Sequence, residues 1–265
     1  MFFDASPSRV LFAIGPVEIS WYGALGSCAI AIGYGVIHFL NRHTVGARVI
    51  TVGKLDWVMA VIFFAGVVGA RALFVFYHFD YFREVPFEMV AVWKGGWVWQ
   101  GGLLGGGIAL VLLSWLKRVD GLRFADLCAP ALAFAQSIGR WGNYFQQEAY
   151  GRPTTVPWAI PIDSAHRVTG FDSAVTFHPT FLYESVADLG LGALLIILLL
   201  RKKHTAPGTI AVLYLLLYSL LRFSIEFLRI DIVPVWAGLR LSQWISLGLI
   251  ILAVSALLHL RKKKV

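Results

Sequence analysis

The stretch Gly139-Arg140-Trp141-Gly142-Asn143-Tyr144-Phe145-Gln146-Gln147-Glu148-Ala149-Tyr150-Gly151 follows directly on an apolar run, Leu127 to Ile138, that carries no charge. An arginine, an asparagine and a glutamate therefore stand where a membrane-spanning helix leaves the hydrocarbon. Charge at membrane depth is costly, so by default it marks a functional site. These residues alone leave two readings open. Either Arg140 snorkels to the headgroups while the aromatics sit in the interfacial belt, or it faces a ligand. The rest of the chain weighs for the ligand, because other polar residues converge on the same depth.

Outward from this stretch the chain is apolar: 58% of its 265 residues are hydrophobic and the mean hydropathy is +0.72. These values exclude a soluble domain. Seven segments have about the 20 residues that a helix needs to cross a bilayer: Ile19–Leu40, Leu55–Phe76, Val98–Leu116, Phe124–Asn143, Thr180–Leu200, Thr209–Phe227 and Leu241–Leu260. The expected fold is an all-α integral membrane protein, one polytopic domain over residues 1–265. The net charge of +8 comes with no basic stripe or RNA-binding motif, so nucleic acid is not an expected partner. The cations instead cluster between spans: Arg42, Arg48 and Lys54; Lys117, Arg118 and Arg123; Arg201, Lys202 and Lys203; and Arg261 to Lys264. Short basic loops lie on the cytoplasmic side, which puts the N-terminus outside and the C-terminus inside. Residues 146–179, with four prolines and interspersed aromatics, form an ordered cap on the outer face. The N-terminus lacks the pattern of a cleaved signal peptide. Cys28 and Cys128 have neither CxxC spacing nor a histidine partner, so buried free thiols are expected and no metal or disulfide. The glycine patch at residues 101–107 lies in a span and lacks a strand–loop–helix context. It reads as close helix packing, not nucleotide binding.

With this topology Tyr22, Arg71, Gln100, Arg140, Asn143, Tyr183, Glu184, Asp188, Arg222, Ser242 and Gln243 all fall in the outer half of the membrane, and the inner halves are almost purely aliphatic. In span six, Arg222, Glu226 and Arg229 are spaced i, i+4, i+7, which stacks them on one helical face. Such a face serves either as a structural ion-pair ladder or as the wall of an anion site. A guanidinium suits phosphate, since its planar fork donates two parallel hydrogen bonds. Cations in an apolar groove suggest a phospholipid headgroup with its tails alongside.

These residues resemble the bacterial prolipoprotein diacylglyceryl transferases. The likeness rests on Gly139-Arg140-x-Gly142-Asn143-Tyr144, Glu148 and Gly151; on Ser20-Trp21-Tyr22-Gly23; on His178-Pro179-x-x-Leu182-Tyr183-Glu184; on Arg222-Phe223-x-x-Glu226-Phe227-x-Arg229; and on Ser242-Gln243. It implies a seven-span enzyme of the bacterial inner (plasma) membrane, with its site toward the outer leaflet. The enzyme would move a diacylglyceryl group from phosphatidylglycerol to the lipobox cysteine of a preprolipoprotein, forming a thioether and releasing glycerol 1-phosphate, the first step of lipoprotein maturation. Its partners are then the lipid and a signal peptide bearing the lipobox, with no metal or cofactor. By the same resemblance Arg140 and Arg222 grip the phosphate, and Glu226 fixes an arginine, pairing with Arg222 or Arg229. Asn143 orients the headgroup, Glu148 holds the signature loop or an arginine, and Tyr22 meets lipid or peptide at the rim. Arg71, Gln100, Gly151, Tyr183, Glu184 and Arg229 complete the expected substrate-binding set. His178 reads as a loop contact.

One position departs from the family pattern. Many members carry histidine before the Gly-Gly pair opening span three, and here the residue is Gln100. Glutamine takes up no proton near neutral pH, so the proton acceptor for the thiol is unassigned. An organic-anion or lipid transporter is the rival class, but the inner halves offer no polar path and no paired repeats with broken helices occur.

Overall fold

The computed structural model describes residues 6–15, 17–44, 50–91, 95–201 and 206–262. Of the basic residues read as topology signals, Arg48, Lys202, Lys203, Lys263 and Lys264 lie outside these. The fold is mainly helical: α1 Trp21–His43, α2 Val52–Tyr77, α3 Phe79–Glu84, α4 Trp99–Trp115, α5 Gly121–Gln146, α6 Thr180–Arg201, α7 Thr209–Ile225 and α8 Leu241–Lys262. Among the described residues four helices are long and apolar enough to cross a membrane, within Trp21–His43, Gly53–Tyr77, Thr180–Arg201 and Leu241–Lys262. Two shorter ones, α4 and α7, are also apolar. This is a multi-pass membrane architecture.

The chain divides into two compact units, residues 47–124 and the remainder. In the smaller unit α2 and α4 pack along each other, and their glycines explain why. A Cβ added at Gly69 would lie 2.9 Å from the Gly105 Cα and still closer to the Gly101 carbonyl oxygen; one at Gly105 would run into the Ala65 carbonyl. Small residues let two backbones touch where lipid offers no hydrophobic drive to association. The expected packing role of the glycine patch is what this geometry provides.

In the larger unit a hairpin of β1 (Val10–Ile14) and β2 (Val17–Ser20) turns at Gly15, whose φ of +60° suits glycine. It leads into α1, where the Ser20 hydroxyl accepts the Gly23 N–H at 3.2 Å, a side-chain N-cap. The helix thus begins two residues later than the apolar run, because Ile19 and Ser20 belong to β2. Helix α5 carries Pro130 in its interior. It crosses α6 where Ser137 and Ser185 each donate a hydroxyl to the other's carbonyl at 2.8 Å. Helix α7 packs along α8 and against α6.

Between α5 and α6, residues 146–179 are folded around an apolar cluster in which Tyr150, Ile160, Ile162 and Phe177 join Phe181 of α6, and against which Trp141 and Tyr144 of α5 pack. Short strands β3 (Ile160–Pro161) and β4 (Thr176–Phe177) pair within this segment. Its first turn is sharp, with Gln147 and Ala149 at positive φ of 53° and 58°. The Gln147 amide holds the turn by donating to Asp163 Oδ2 at 2.6 Å and accepting the Asp163 N–H at 2.8 Å. Hydrogen bonds from Ser6 and Gln147 hold the Asp163 carboxyl below its ordinary range. Arg9 meets His166 at 2.6 Å, so the N-terminal segment is tied to this loop twice. A last hairpin, β5 (Val235–Trp236) with β6 (Leu239–Arg240), joins α7 to α8.

Cys28 and Cys128 form no disulfide. Burial was expected for both, but Cys28 is exposed on α1 and Cys128 only half-buried. A thiol behaves as a small apolar group, and hydrocarbon does not penalise it on the outside of a span.

Candidate active site

Four polar stretches of the larger unit meet in one ion-pair network. Glu184, in the second turn of α6 and buried, takes Arg222 of α7 at 2.8 Å on Oε1 and Arg140 of α5 at 2.6 Å on Oε2. Arg229 reaches Oε1 at 3.5 Å. The other Arg222 nitrogen binds Glu226 at 2.8 Å, and Glu226 in turn holds Arg240 at 2.7 Å. Arg240 binds Asp231 at 3.0 Å, and Asp231 binds Arg229 at 2.8 Å. The contacts close a ring: Glu184, Arg222, Glu226, Arg240, Asp231, Arg229 and back to Glu184.

The ring balances its own charge, with three carboxylates for three guanidiniums. Arg140 hangs on it as the surplus cation, donating also to the Tyr218 hydroxyl at 3.3 Å. Buried charges persist only when paired and hydrogen-bonded, and the backbone supplies what the acids do not. Arg240 donates to the carbonyls of Arg229 and Asp231 at 3.0 and 2.8 Å. Burial opposes ionisation of Asp231, but the Arg229 hydrogen bond and the charges of Arg229 and Arg240 outweigh it and hold the carboxyl below its usual range.

Several site residues expected from the sequence come together here: Arg140, Glu184, Arg222, Glu226 and Arg229. The i, i+4, i+7 face of span six is corrected, however. Helix α7 ends at Ile225, Glu226 is its C-cap, and Arg229 lies in the turn beyond. That turn redirects Arg229 toward Asp231, so the second partner of Glu226 is Arg240 and not Arg229. Among the described residues Glu148 pairs with no arginine; its carboxylate accepts the Asn143 amide at 2.9 Å, bracing the turn after α5. Gly151 is the crossing point of the loop. It pairs with Arg229 as an isolated bridge, and its N–H donates to the His178 carbonyl at 2.9 Å. A Cβ there would sit 2.9 Å from the His178 Cβ and 3.0 Å from the Leu228 oxygen, so no side chain fits. The Tyr22 ring lies against the backbone of Gly142, 2.7 Å from where a Cβ would stand, and remains exposed. Tyr183 accepts the Trp158 indole N–H at 2.9 Å and shares a 3.0 Å hydrogen bond with His178 Nδ1. His178 is thus a loop contact in this geometry.

Arg71 and Gln100 belong to the other unit. Arg71 turns its guanidinium toward the backbone of its own unit. All five of its N–H groups meet backbone carbonyls, those of Met89, Gly95, Gly96, Glu88 and Ala91, so no part of its fork is free. Gln100 stands exposed in the first turn of α4.

Sequence reasoning missed Arg240, Asp231 and Tyr218. Arg240 and Asp231 sit in a short polar link between two apolar spans, where a lone acid and a lone base look like solvated loop residues. No charge imbalance pointed to them, since Glu184, Asp188 and Glu226 already match Arg140, Arg222 and Arg229 in number. Among the described residues no group of histidine, cysteine, aspartate or glutamate could hold a metal ion.

Residues 9–259 match the family model described as prolipoprotein diacylglyceryl transferase. The chain is 38% identical over 268 residues to the phosphatidylglycerol--prolipoprotein diacylglyceryl transferase of Trichormus variabilis, covering 99% of this chain and 93% of that protein. It is 36% identical over 256 residues to the protein of the same name from Finegoldia magna, covering 97% and 96%. The like-named protein of Fervidobacterium nodosum is 38% identical over 250 residues, covering 92% and 82%. A match of this extent places the chain in a family of transferases: it belongs to the prolipoprotein diacylglyceryl transferases.

Proposed function

We propose that this protein transfers the diacylglyceryl group of phosphatidylglycerol to the lipobox cysteine of a preprolipoprotein. The thiol sulfur bonds to the glyceryl carbon while the carbon–oxygen bond to phosphate breaks, its electron pair leaving on the phosphate oxygen of glycerol 1-phosphate. The observation that carries this reading is the convergence of Arg140 and Arg222 on the two oxygens of the buried Glu184, which sets two guanidiniums side by side among mainly apolar helices. An anion needs such cations, and charge developing on a leaving phosphate is best stabilised by donors already fixed in a dry site. Arg140 and Arg222 grip the phosphate. Glu184 and Glu226 hold their rotamers, and Arg229 and Arg240 complete the frame. Asn143, braced by Glu148, orients the headgroup. Tyr22 guides lipid or peptide at the rim, and Tyr183 and Gly151 shape the loop side. Arg71 secures its own loop, and Gln100 offers a hydrogen bond but no proton acceptor.

The reading includes a topology. Residues 1–265 form one inner-membrane domain of seven spans, α1, α2 and α4 to α8. The N-terminus and the cap of residues 146–179 are outside, and the C-terminus is cytoplasmic. The basic clusters after spans one, three, five and seven support this orientation. The signal peptide then brings its cysteine from the outer leaflet.

Purified protein in detergent micelles, given phosphatidylglycerol and a lipobox peptide, tests the reaction. The expected result is a peptide heavier by one diacylglyceryl group, with an equal amount of glycerol phosphate released. In proteoliposomes, uptake of a labelled organic anion with no peptide product would instead identify a transporter.

A further inference from the structure

Three acids of the ring are held by arginines, and a fourth buried acid, Asp188, lies beside them without an ion pair among the described residues. Glu184, Glu226 and Asp231 each bind at least two guanidiniums. An ion pair stabilises the charged form of a carboxylate and makes it a reluctant proton acceptor. Asp188 differs. It is 2% exposed, and its Oδ2 has no hydrogen-bond partner among the described residues. A buried unpartnered carboxylate oxygen is expensive to keep, which calls for a use.

Its position suggests one. Asp188 follows Glu184 by four residues in α6, hence on the same face and about 6 Å further from the loop end of the helix at ~1.5 Å per residue. The groups acting on it electrostatically are Arg140 from α5, Glu184 from its own helix, and Arg222, Tyr218 and Tyr214 from α7. A phospholipid whose phosphate rests among the arginines directs its glyceryl carbon and tails down this side, toward the aliphatic half of the bundle. The carbon that the thiol attacks is then at the level of Asp188. Within the same unit the ring carboxylates are paired with guanidiniums, Glu148 accepts the Asn143 amide, and His178 Nδ1 is engaged with the Tyr183 hydroxyl.

We infer that Asp188 is the proton acceptor for the lipobox thiol, a catalytic role that rests on the transferase reading above. As sulfur bonds to the glyceryl carbon and the phosphate oxygen leaves with the electron pair, the thiol proton passes to the Asp188 carboxylate. Asp188 becomes neutral, the phosphate gains its second negative charge, and Arg140 loses the competition of a nearby anion at the moment the leaving group needs it. The proton then moves from Asp188 to the glycerol phosphate, which departs as the monoanion, and the carboxylate is restored.

The test is the pH–rate profile of D188N and D188E beside wild type, with the micellar lipid and lipobox peptide, from pH 6 to 10. For D188N a fall in kcat of about 10²-fold at pH 7 is expected, with KM for phosphatidylglycerol unchanged. Its rate should then climb about tenfold per pH unit toward wild type until the peptide thiol is ionised, near ~8.5. D188E should keep part of the activity with a displaced profile. A wild-type kcat in D188N, a loss that does not respond to pH, or a loss confined to KM overturns the inference. If D188N does not fold, as judged by its melting temperature, D188E decides: a displaced profile supports the role and a wild-type profile refutes it. Failure of the transferase reading would be visible separately, as a wild-type protein that makes no thioether, and the inference would fall with it.

Discussion

At the scale of the residue, each carboxylate of the network is governed by how many guanidiniums it holds. Glu184 is shared by three arginines, so Glu184→Gln removes the charge while keeping the shape. Removing one partner of a buried ion pair costs roughly 3–5 kcal/mol. The protein should lose about that much stability and bind phosphatidylglycerol poorly, because Arg140 and Arg222 would no longer be held in place. A melting curve and a lipid titration on the same sample check both; an unchanged melting temperature would contradict the ring. Asp231 makes a prediction in pH. Its carboxyl is held below the usual range, so the native state binds fewer protons than the unfolded chain as pH falls. Its stabilisation is therefore complete above the unfolded value near 3.9 and is lost as pH drops through the lower native value. Wild type should lose melting temperature below about pH 4, and Asp231→Asn should show less of that loss while being less stable at neutral pH. An identical slope in both would remove Asp231 from the account. At this scale the sequence was readable where a charge stood inside an apolar run, as with Arg140 and Arg222. It was not readable for Asp231 and Arg240, whose link between spans gives no sign of being folded back against Glu226.

At the scale of the element, the glycines of α2 and α4 and the end of α7 decide the packing. Gly105 touches the backbone of the facing helix, so Gly105→Val should destabilise the protein by about 1–3 kcal/mol through overpacking. Gly107, whose added Cβ would meet nothing within 4 Å, should tolerate alanine with little change. Thermal unfolding of the two variants in detergent separates a packed seam from a merely flexible helix, since equal effects would contradict the seam. Most helices were legible as apolar runs, with ends displaced by a few residues where another element took them over. Ile19 and Ser20 went to β2 because the hairpin pairs them with Phe12 and Val10. The end of α7 at Ile225 was hidden, since Glu226 to Arg229 continue a helical spacing. Only the pairing of Arg240 with Glu226 and of Asp231 with Arg229 shows why the chain turns there.

At the scale of the whole molecule, the proposed topology turns the arginine network and residues 146–179 toward the outer face. The orientation was read from loop charge and the cap from length and composition; its apolar core around Tyr150 and Phe177 gives the physical reason the loop is ordered. A cysteine placed at the exposed Ser173, in a background lacking Cys28 and Cys128, should react with a membrane-impermeant maleimide in intact spheroplasts. One at Arg261 should react only after permeabilisation. The reverse pattern would invert the topology.

The most direct measurement compares wild type with Arg140→Ala in detergent, following thioether formation on the peptide and glycerol phosphate release together at saturating phosphatidylglycerol. The account predicts matched amounts of both products from wild type. It predicts that the variant loses both in parallel by about 10²- to 10³-fold in kcat while remaining folded at the assay temperature, with a lowered melting temperature, since Glu184 loses one guanidinium but keeps Arg222 and Arg229. Near-normal turnover in folded Arg140→Ala would contradict it.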